Sequence, residues 1–201
     1  MKKKSTKILL VVFCAVLLVL GSVMGTVAYL TSDASVENTF TVGDVEITLL
    51  ETDVDVYGVK DGDTRVAANQ YKLLPGREYV KDPEITVTKG SEECWLFVVI
   101  DNGIEAFEAA DNTIADQLAD NDWTPVATGS NIYYHAKVNA LDAAQTVPVF
   151  EGFTIADEAD AVTGWDAISA AATKVTVTAY AIQADGMPTF TDAAKALGLI
   201  S

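Results

Sequence analysis

The chain has 201 residues, half of them hydrophobic, with 13 basic against 29 acidic side chains and a formal net charge of −16. That length suffices for one domain with a real core, and the apolar content excludes a disordered polymer. The acidic excess excludes nucleic acid and anionic membrane surfaces as partners, because both present phosphate.

The charge is unevenly spread. Lys2, Lys3, Lys4 and Lys7 precede an apolar run from Ile8 to Leu20, and Gly21-Ser22-Val23-Met24-Gly25-Thr26-Val27-Ala28 follows it. A charged start, an apolar middle and a small-residue end form the pattern of a secretory signal peptide. The pattern predicts residues 1–28 as a signal helix cut between Ala28 and Tyr29. A retained anchor is the rival expectation, because Ile8 to Ser32 runs 25 residues without a charge, enough to span a bilayer. The membrane is expected as a partner only through this segment, before cleavage. Cys14 sits behind bulky Phe13 and lacks a lipoprotein setting. After residue 28 there remain nine basic and 29 acidic residues, a net −20, which suits a solvated extracellular surface. Cys94 then stands alone, so no intramolecular disulfide can form.

Taken in chain order, the elements are mostly strands. Asp44–Leu50 alternates, with Val45, Ile47 and Leu49 on one face. Asp53–Gln70 is polar, with Gly58 and Gly62, and reads as a loop. Ile85–Thr88 and Cys94–Ile100 flank the turn signal Lys89-Gly90-Ser91 and read as a hairpin. Cys94 there reads as a small buried hydrophobe, with a reactive or cross-linking thiol as the alternative. Ile104, Phe107, Ile114 and Leu118 fit one helical face, or two short helices broken at Asp111-Asn112-Thr113. Asn131–Val138 reads as a strand. Thr146–Ile155 reads as another, with Pro148 confining it to an edge or bulge. Thr163–Ala172 is alanine-rich and reads as a short helix. Lys174–Gln183 alternates clearly. Thr191 or Asp192 is expected to cap a last helix that runs to Leu197 and ends at Gly198. At least six strands separated by turn residues predict an all-β sandwich with short helical insertions, spanning 44–201 behind an extension at 29–43.

The catalytic inventory is thin. His135 is the only histidine, so no histidine pair can hold a catalytic zinc. It sits mid-strand beside Tyr133 and Tyr134, with nothing nearby to mark a nucleophile. Asp53, Asp55, Asp61 and Asp63 resemble the opening of an oxygen-ligand calcium loop, but Thr64 stands where a bidentate glutamate belongs. Asp116, Asp120 and Asp122 form a second acidic cluster. No pair of carboxylates is singled out for glycosidase chemistry. No catalytic or cofactor-binding residue is assigned, and no cofactor is expected.

The stretch Gly25-Thr26-Val27-Ala28-Tyr29-Leu30-Thr31-Ser32-Asp33, followed by Asn38-Thr39-Phe40-Thr41-Val42-Gly43-Asp44-Val45, resembles signal segments handled by a SipW-type signal peptidase of Gram-positive bacteria. Leu74-Pro75-Gly76 with Lys81-Asp82-Pro83, and Ala179-Tyr180-Ala181-Ile182-Gln183-Ala184-Asp185-Gly186, extend the resemblance to the TasA/camelysin family of secreted, biofilm-matrix proteins. The resemblance implies a jelly-roll-like β-sandwich, exported and deposited on or around the cell. It implies a SipW-type peptidase as processing partner, and self-association or other matrix proteins as lasting partners. It also implies a fibre subunit that polymerises by strand donation. The donor would be Tyr29–Val42, with Tyr29, Leu30, Val36, Phe40 and Val42 as apolar anchors. Phe40–Leu50 as the first strand of the chain's own sandwich is the competing expectation. Two other functions stay open: a monomeric binding module for calcium or glycans, and a camelysin-like metallopeptidase, which the missing histidine pair disfavours.

Overall fold

Alternating β-branched and aromatic positions favour a pleated, half-buried backbone, and strands account for most of the regular secondary structure among the described residues. The computed structural model describes residues 44–157 and 174–201. The expected signal helix, the extension 29–43 and the expected helix at Thr163–Ala172 lie outside these residues. Among the described residues the architecture is all-β. One antiparallel sheet contains β1 (Ile47–Val54), β2 (Lys60–Val66), β4 (Glu84–Val87) and β8 (Gln145–Pro148), in the order β2-β1-β4-β8. A second contains β5 (Cys94–Asn102), β6 (Thr124–Pro125), β7 (Ile132–Val138) and β10 (Val175–Gln183), in the order β10-β5-β7-β6. β3 (Glu78–Val80) pairs with β9 (Gly152–Thr154) as a separate antiparallel ribbon.

The two larger sheets share one core. Ile47, Ile85, Val87 and Val147 from the first cluster with Leu96, Val98, Ile100, Ala179 and Ala181 from the second. The second sheet is covered on its other face too. Phe97 and Ile182 belong to a separate cluster with Ala193 and Ala194 of the terminal helix. Tyr134 of β7 stacks on Phe190 of that helix, ring centroids 3.9 Å apart. Burial on both faces explains why β5 reads as an unbroken apolar run rather than an alternating one. A bulge in β7 supports this arrangement. Cys94 opposes Val138 while Leu96 opposes His135. The extra residue shifts the side-chain phase, so that Val138 joins Cys94 in the shared core.

Two short helices, α1 (Ile114–Asp120) and α2 (Phe190–Ala196), and a 3₁₀ turn at Glu105–Phe107 complete the described elements. Ile104, Phe107, Ile114 and Leu118 all lie in the shared core; Ile104 caps the 3₁₀ turn that holds Phe107, and α1 holds the other two, as the break at 111–113 suggested. Thr113 caps α1 by accepting from the Asp116 N–H, while the Asp116 carboxylate accepts from the Thr113 N–H and hydroxyl.

Four expectations need correction. The turn at Lys89-Gly90-Ser91 does not close a hairpin: β4 pairs with β1 and β8, whereas β5 pairs with β10 and β7. The turn carries the chain between sheets, and a turn signal does not specify which sheet receives the next strand. The polar segment Asp53–Gln70 is not all loop. β2 forms within it as an exposed edge held by backbone pairing to β1, which needs no apolar face. Thr146–Ile155 is two strands in two sheets, β8 and β9, with Pro148 on an edge as expected. The cap of α2 is Thr189 rather than Thr191 or Asp192; Asp192 supplies the reciprocal half of the capping box. Gly198, at φ 71°, ends this helix as expected.

The irregular stretch between β2 and β3 is fixed by Tyr79 of β3. That residue is fully buried and stacks on Phe153 at 5.0 Å. Its hydroxyl donates to the Lys72 carbonyl and accepts from the Leu74 N–H, each at 2.7 Å. Gly58 lies against it at φ 74°, where an added Cβ would sit 2.9 Å from the Tyr79 Cα. Tyr79→Phe is expected to lose roughly 1–3 kcal/mol, because the Leu74 and Lys72 groups lose their partner. Urea unfolding checks this, and a midpoint equal to that of the parent would refute the anchoring role.

Candidate functional site

A strand points successive side chains to opposite faces. Val45, just before β1, and Ile47 and Leu49 within it take the core side, so the next residue in phase is Glu51. The period therefore delivers a carboxylate to a buried position, where only 3% of the residue stays exposed. Such a group must be paired and hydrogen-bonded. Lys81 Nζ lies 2.6 Å from Glu51 Oε2. Asn69 donates to Oε1 twice, from its backbone N–H at 2.8 Å and from Nδ2 at 2.9 Å.

Asn69 is held by β1 as well. The β1–β2 register slips between Thr52 and Val54, which leaves backbone groups there off the regular ladder. Asn69 Nδ2 donates to the Thr52 carbonyl at 2.8 Å, and Asn69 Oδ1 accepts from the Val54 N–H at 3.1 Å. Its carboxamide thus replaces the missing strand partner. Tyr71 walls the group. Its ring lies 5.9 Å from Lys81 Nζ and packs edge-on against Tyr79 and Phe153. Burial, and then the Glu51 charge, push the Tyr71 phenol well above its ordinary pKa.

Asp82 extends the network. Its carboxylate accepts from Thr52 N–H at 2.6 Å and from the Thr52 hydroxyl at 2.7 Å. Arg65 Nη1 lies 3.4 Å from the same carboxylate, and Nη2 donates to the Leu50 and Asp82 carbonyls at 2.9 and 2.8 Å. Arg65 Nε is buried without a partner. Lys81 and Asp82, which stand together in one of the resemblance motifs, thus both engage β1. The result is a carboxylate that holds an amine and a carboxamide together, beside aromatic rings and largely away from water.

The residues singled out in the sequence fall elsewhere. Ala28, Tyr29, Leu30, Val36, Phe40 and Val42 lie outside the described residues. Asp55 turns its carboxylate onto its own loop, accepting from the Tyr57 and Val59 N–H groups at 2.9 Å each. Asp63 pairs with Lys60 at 3.0 Å on the surface, and Asp61 is exposed. Asp53 is half-buried. No cluster of three or more His, Cys, Asp or Glu side chains placed to hold a metal ion occurs among the described residues. Asp116 serves the α1 cap, while Asp120 and Asp122 do not join it. His135 Nδ1 lies 2.9 Å from the Ala136 carbonyl, and its ring packs 5.2 Å from Trp123. Cys94 is fully buried, and burial, with a smaller contribution from Glu93, pushes its thiol up to about 12. Glu51 and Asn69 were not singled out, and Lys81 entered only as part of a resemblance motif. The signal that could have found them is a glutamate in phase with Val45, Ile47 and Leu49.

The sheet edges differ in kind. β2 is lined with charge through Lys60, Asp61, Asp63 and Arg65; β8 ends in Pro148; β6 is two residues long and contains Pro125. Charge, proline and short length all discourage further pairing. β10 is nine residues long, without charge or proline, and no strand among the described residues lies beyond it.

Asp82→Ala should cost about 2 kcal/mol, as charge-assisted bonds to Thr52 and Arg65 are lost. Asp63→Asn should stay within about 0.5 kcal/mol, because its ion pair is exposed. Denaturant titration of both variants makes the comparison, and equal effects would contradict it. Cys94 should resist a thiol reagent in the folded protein and react on unfolding; rapid native labelling would show the thiol is accessible. Among proteins of known kind, no family model, no curated protein and no solved structure matches the chain.

Proposed function

We propose that this protein is a secreted structural component of a cell surface or biofilm matrix, of the TasA/camelysin kind, and that it acts without enzymatic chemistry. In this reading the described strands belong to a jelly-roll-like sandwich. A SipW-type peptidase cuts after Ala28, and the freed segment Tyr29–Val42 adds as a strand to the next copy. The observation that carries the reading is the uncharged, nine-residue β10 at a sheet edge, together with the signal pattern at residues 1–28. An added strand there would gain backbone hydrogen bonds and bury its apolar anchors at once. The net −20 beyond residue 28 suits a soluble subunit before assembly.

Negative-stain electron microscopy of residues 29–201 beside residues 44–201 tests the reading. Fibres are expected from the longer protein and none from the shorter. Dispersed particles from both would overturn strand donation by this segment.

A further inference from the structure

One carboxylate holds the two ingredients of an amide exchange. The Lys81 amine sits on Glu51 Oε2 at 2.6 Å, and the Asn69 carboxamide nitrogen sits on Oε1 at 2.9 Å. The Lys81 and Glu51 side chains are only 11% and 4% exposed, so bulk water is largely kept from the group. Asn69 is held by its backbone N–H, both uses of Nδ2 and an accepted bond at Oδ1. Such fixation lowers the entropic barrier to an intramolecular reaction. The Val54 N–H, 3.1 Å from Asn69 Oδ1, points at the oxygen on which negative charge would develop if the amide carbon were attacked.

We propose that Lys81 and Asn69 become joined by an isopeptide bond, with Glu51 carrying the protons. Glu51 takes a proton from the Lys81 ammonium. The amine lone pair then attacks Asn69 Cγ, and the carbonyl π pair moves onto Oδ1 beside the Val54 N–H. Through Glu51, a proton from the attacking nitrogen reaches Nδ2. The Cγ–Nδ2 bond breaks, the carbonyl re-forms and ammonia leaves. The lysine nitrogen gives up two protons in all: one completes the ammonia, which leaves uncharged, and the other stays on Glu51 as a neutral carboxylic acid. No oxidant or co-reactant is needed.

The exchange has a physical reason in this fold. It replaces a buried ion pair, whose desolvation is costly, with a neutral amide and a neutral acid. It closes a covalent loop around the irregular segment between β2 and β3, which restricts the unfolded chain as a disulfide would. Cys94, a free thiol, offers no such staple. The proposal concerns a single copy and stands whether or not the protein polymerises.

Intact-mass and tandem mass spectrometry of the purified protein test it. The folded parent should be lighter than its sequence by one ammonia, and a protease digest should contain a branched peptide joining Lys81 to Asn69. Glu51→Gln should restore the full mass. Lys81→Arg keeps a cation on Glu51 but removes the amine, and should also show full mass with a folded spectrum by circular dichroism. If Glu51→Gln does not fold, the parent digest and Lys81→Arg still decide. Full parent mass, with Lys81 and Asn69 in separate peptides, would overturn the proposal. So would an ammonia lost to a cyclised Asn69 rather than to Lys81. A link that persists in folded Glu51→Gln would overturn the role given to Glu51.

Discussion

A carboxylate on the core side of β1 constrains everything around it. Glu51 follows Val45, Ile47 and Leu49 in strand phase, so it cannot reach water without turning the strand over and exposing those residues. Its charge must be met from elsewhere in the chain. Lys81 meets it from just after β3, and Asn69 meets it from the irregular stretch after β2. Both therefore have to be delivered to the same end of β1. Tyr79, Gly58 and the Asp82–Thr52 contacts then follow as the means of holding that stretch in place. Removing one partner from such a group leaves the other buried and uncompensated, which is far worse than never having built the pair.

The second sheet obeys a different constraint. It packs on the first sheet through one face and on α2 through the other. A strand buried on both sides can carry few charges, and β5 between Cys94 and Ile100 has none. β10, which lies beside β5 over its whole length, is likewise uncharged. Its position at a sheet edge then presents an uncharged, proline-free strand where proteins usually place charge or proline, as β2 and β8 do here. An edge of that kind, among the described residues, is the feature on which the proposed strand addition rests.

Much of this was legible in the sequence where one local rule decides. Alternation located β1, β4 and β10, and the four apolar positions from Ile104 to Leu118 located the core side of the helical insertion. The rest depended on choices that local sequence does not contain. Lys89-Gly90-Ser91 announces a reversal without naming the sheet that receives β5. β2 has no apolar face, so no periodicity marks it; the strand exists because β1 offers it a backbone ladder. Thr189 and Asp192 act as one reciprocal cap, and reading either alone misplaces the helix start. The Glu51 group was the least legible. Its members are brought together over separations of 18 and 30 residues, and each is unremarkable beside its own neighbours. Only the phase of Glu51 on the apolar face of β1 gives a local hint.

These constraints meet in how an acidic domain of this size stays folded. It carries a large excess of negative charge, which opposes compaction through self-repulsion. Cys94 lies in the core, with its thiol pushed far from ionisation by burial, so it serves packing rather than cross-linking. Stability then has to come from the shared core and from whatever ties the irregular segment after β2 to the sheets. The ion pair alone is a weak tie, because its Coulomb energy is largely offset by desolvation. The same three side chains become a strong tie if the pair is converted to an amide, since the linkage then constrains the unfolded chain and no longer depends on two charges remaining buried. An acidic protein without a disulfide has most to gain from that conversion, and the residues that would carry it out are already held on one carboxylate.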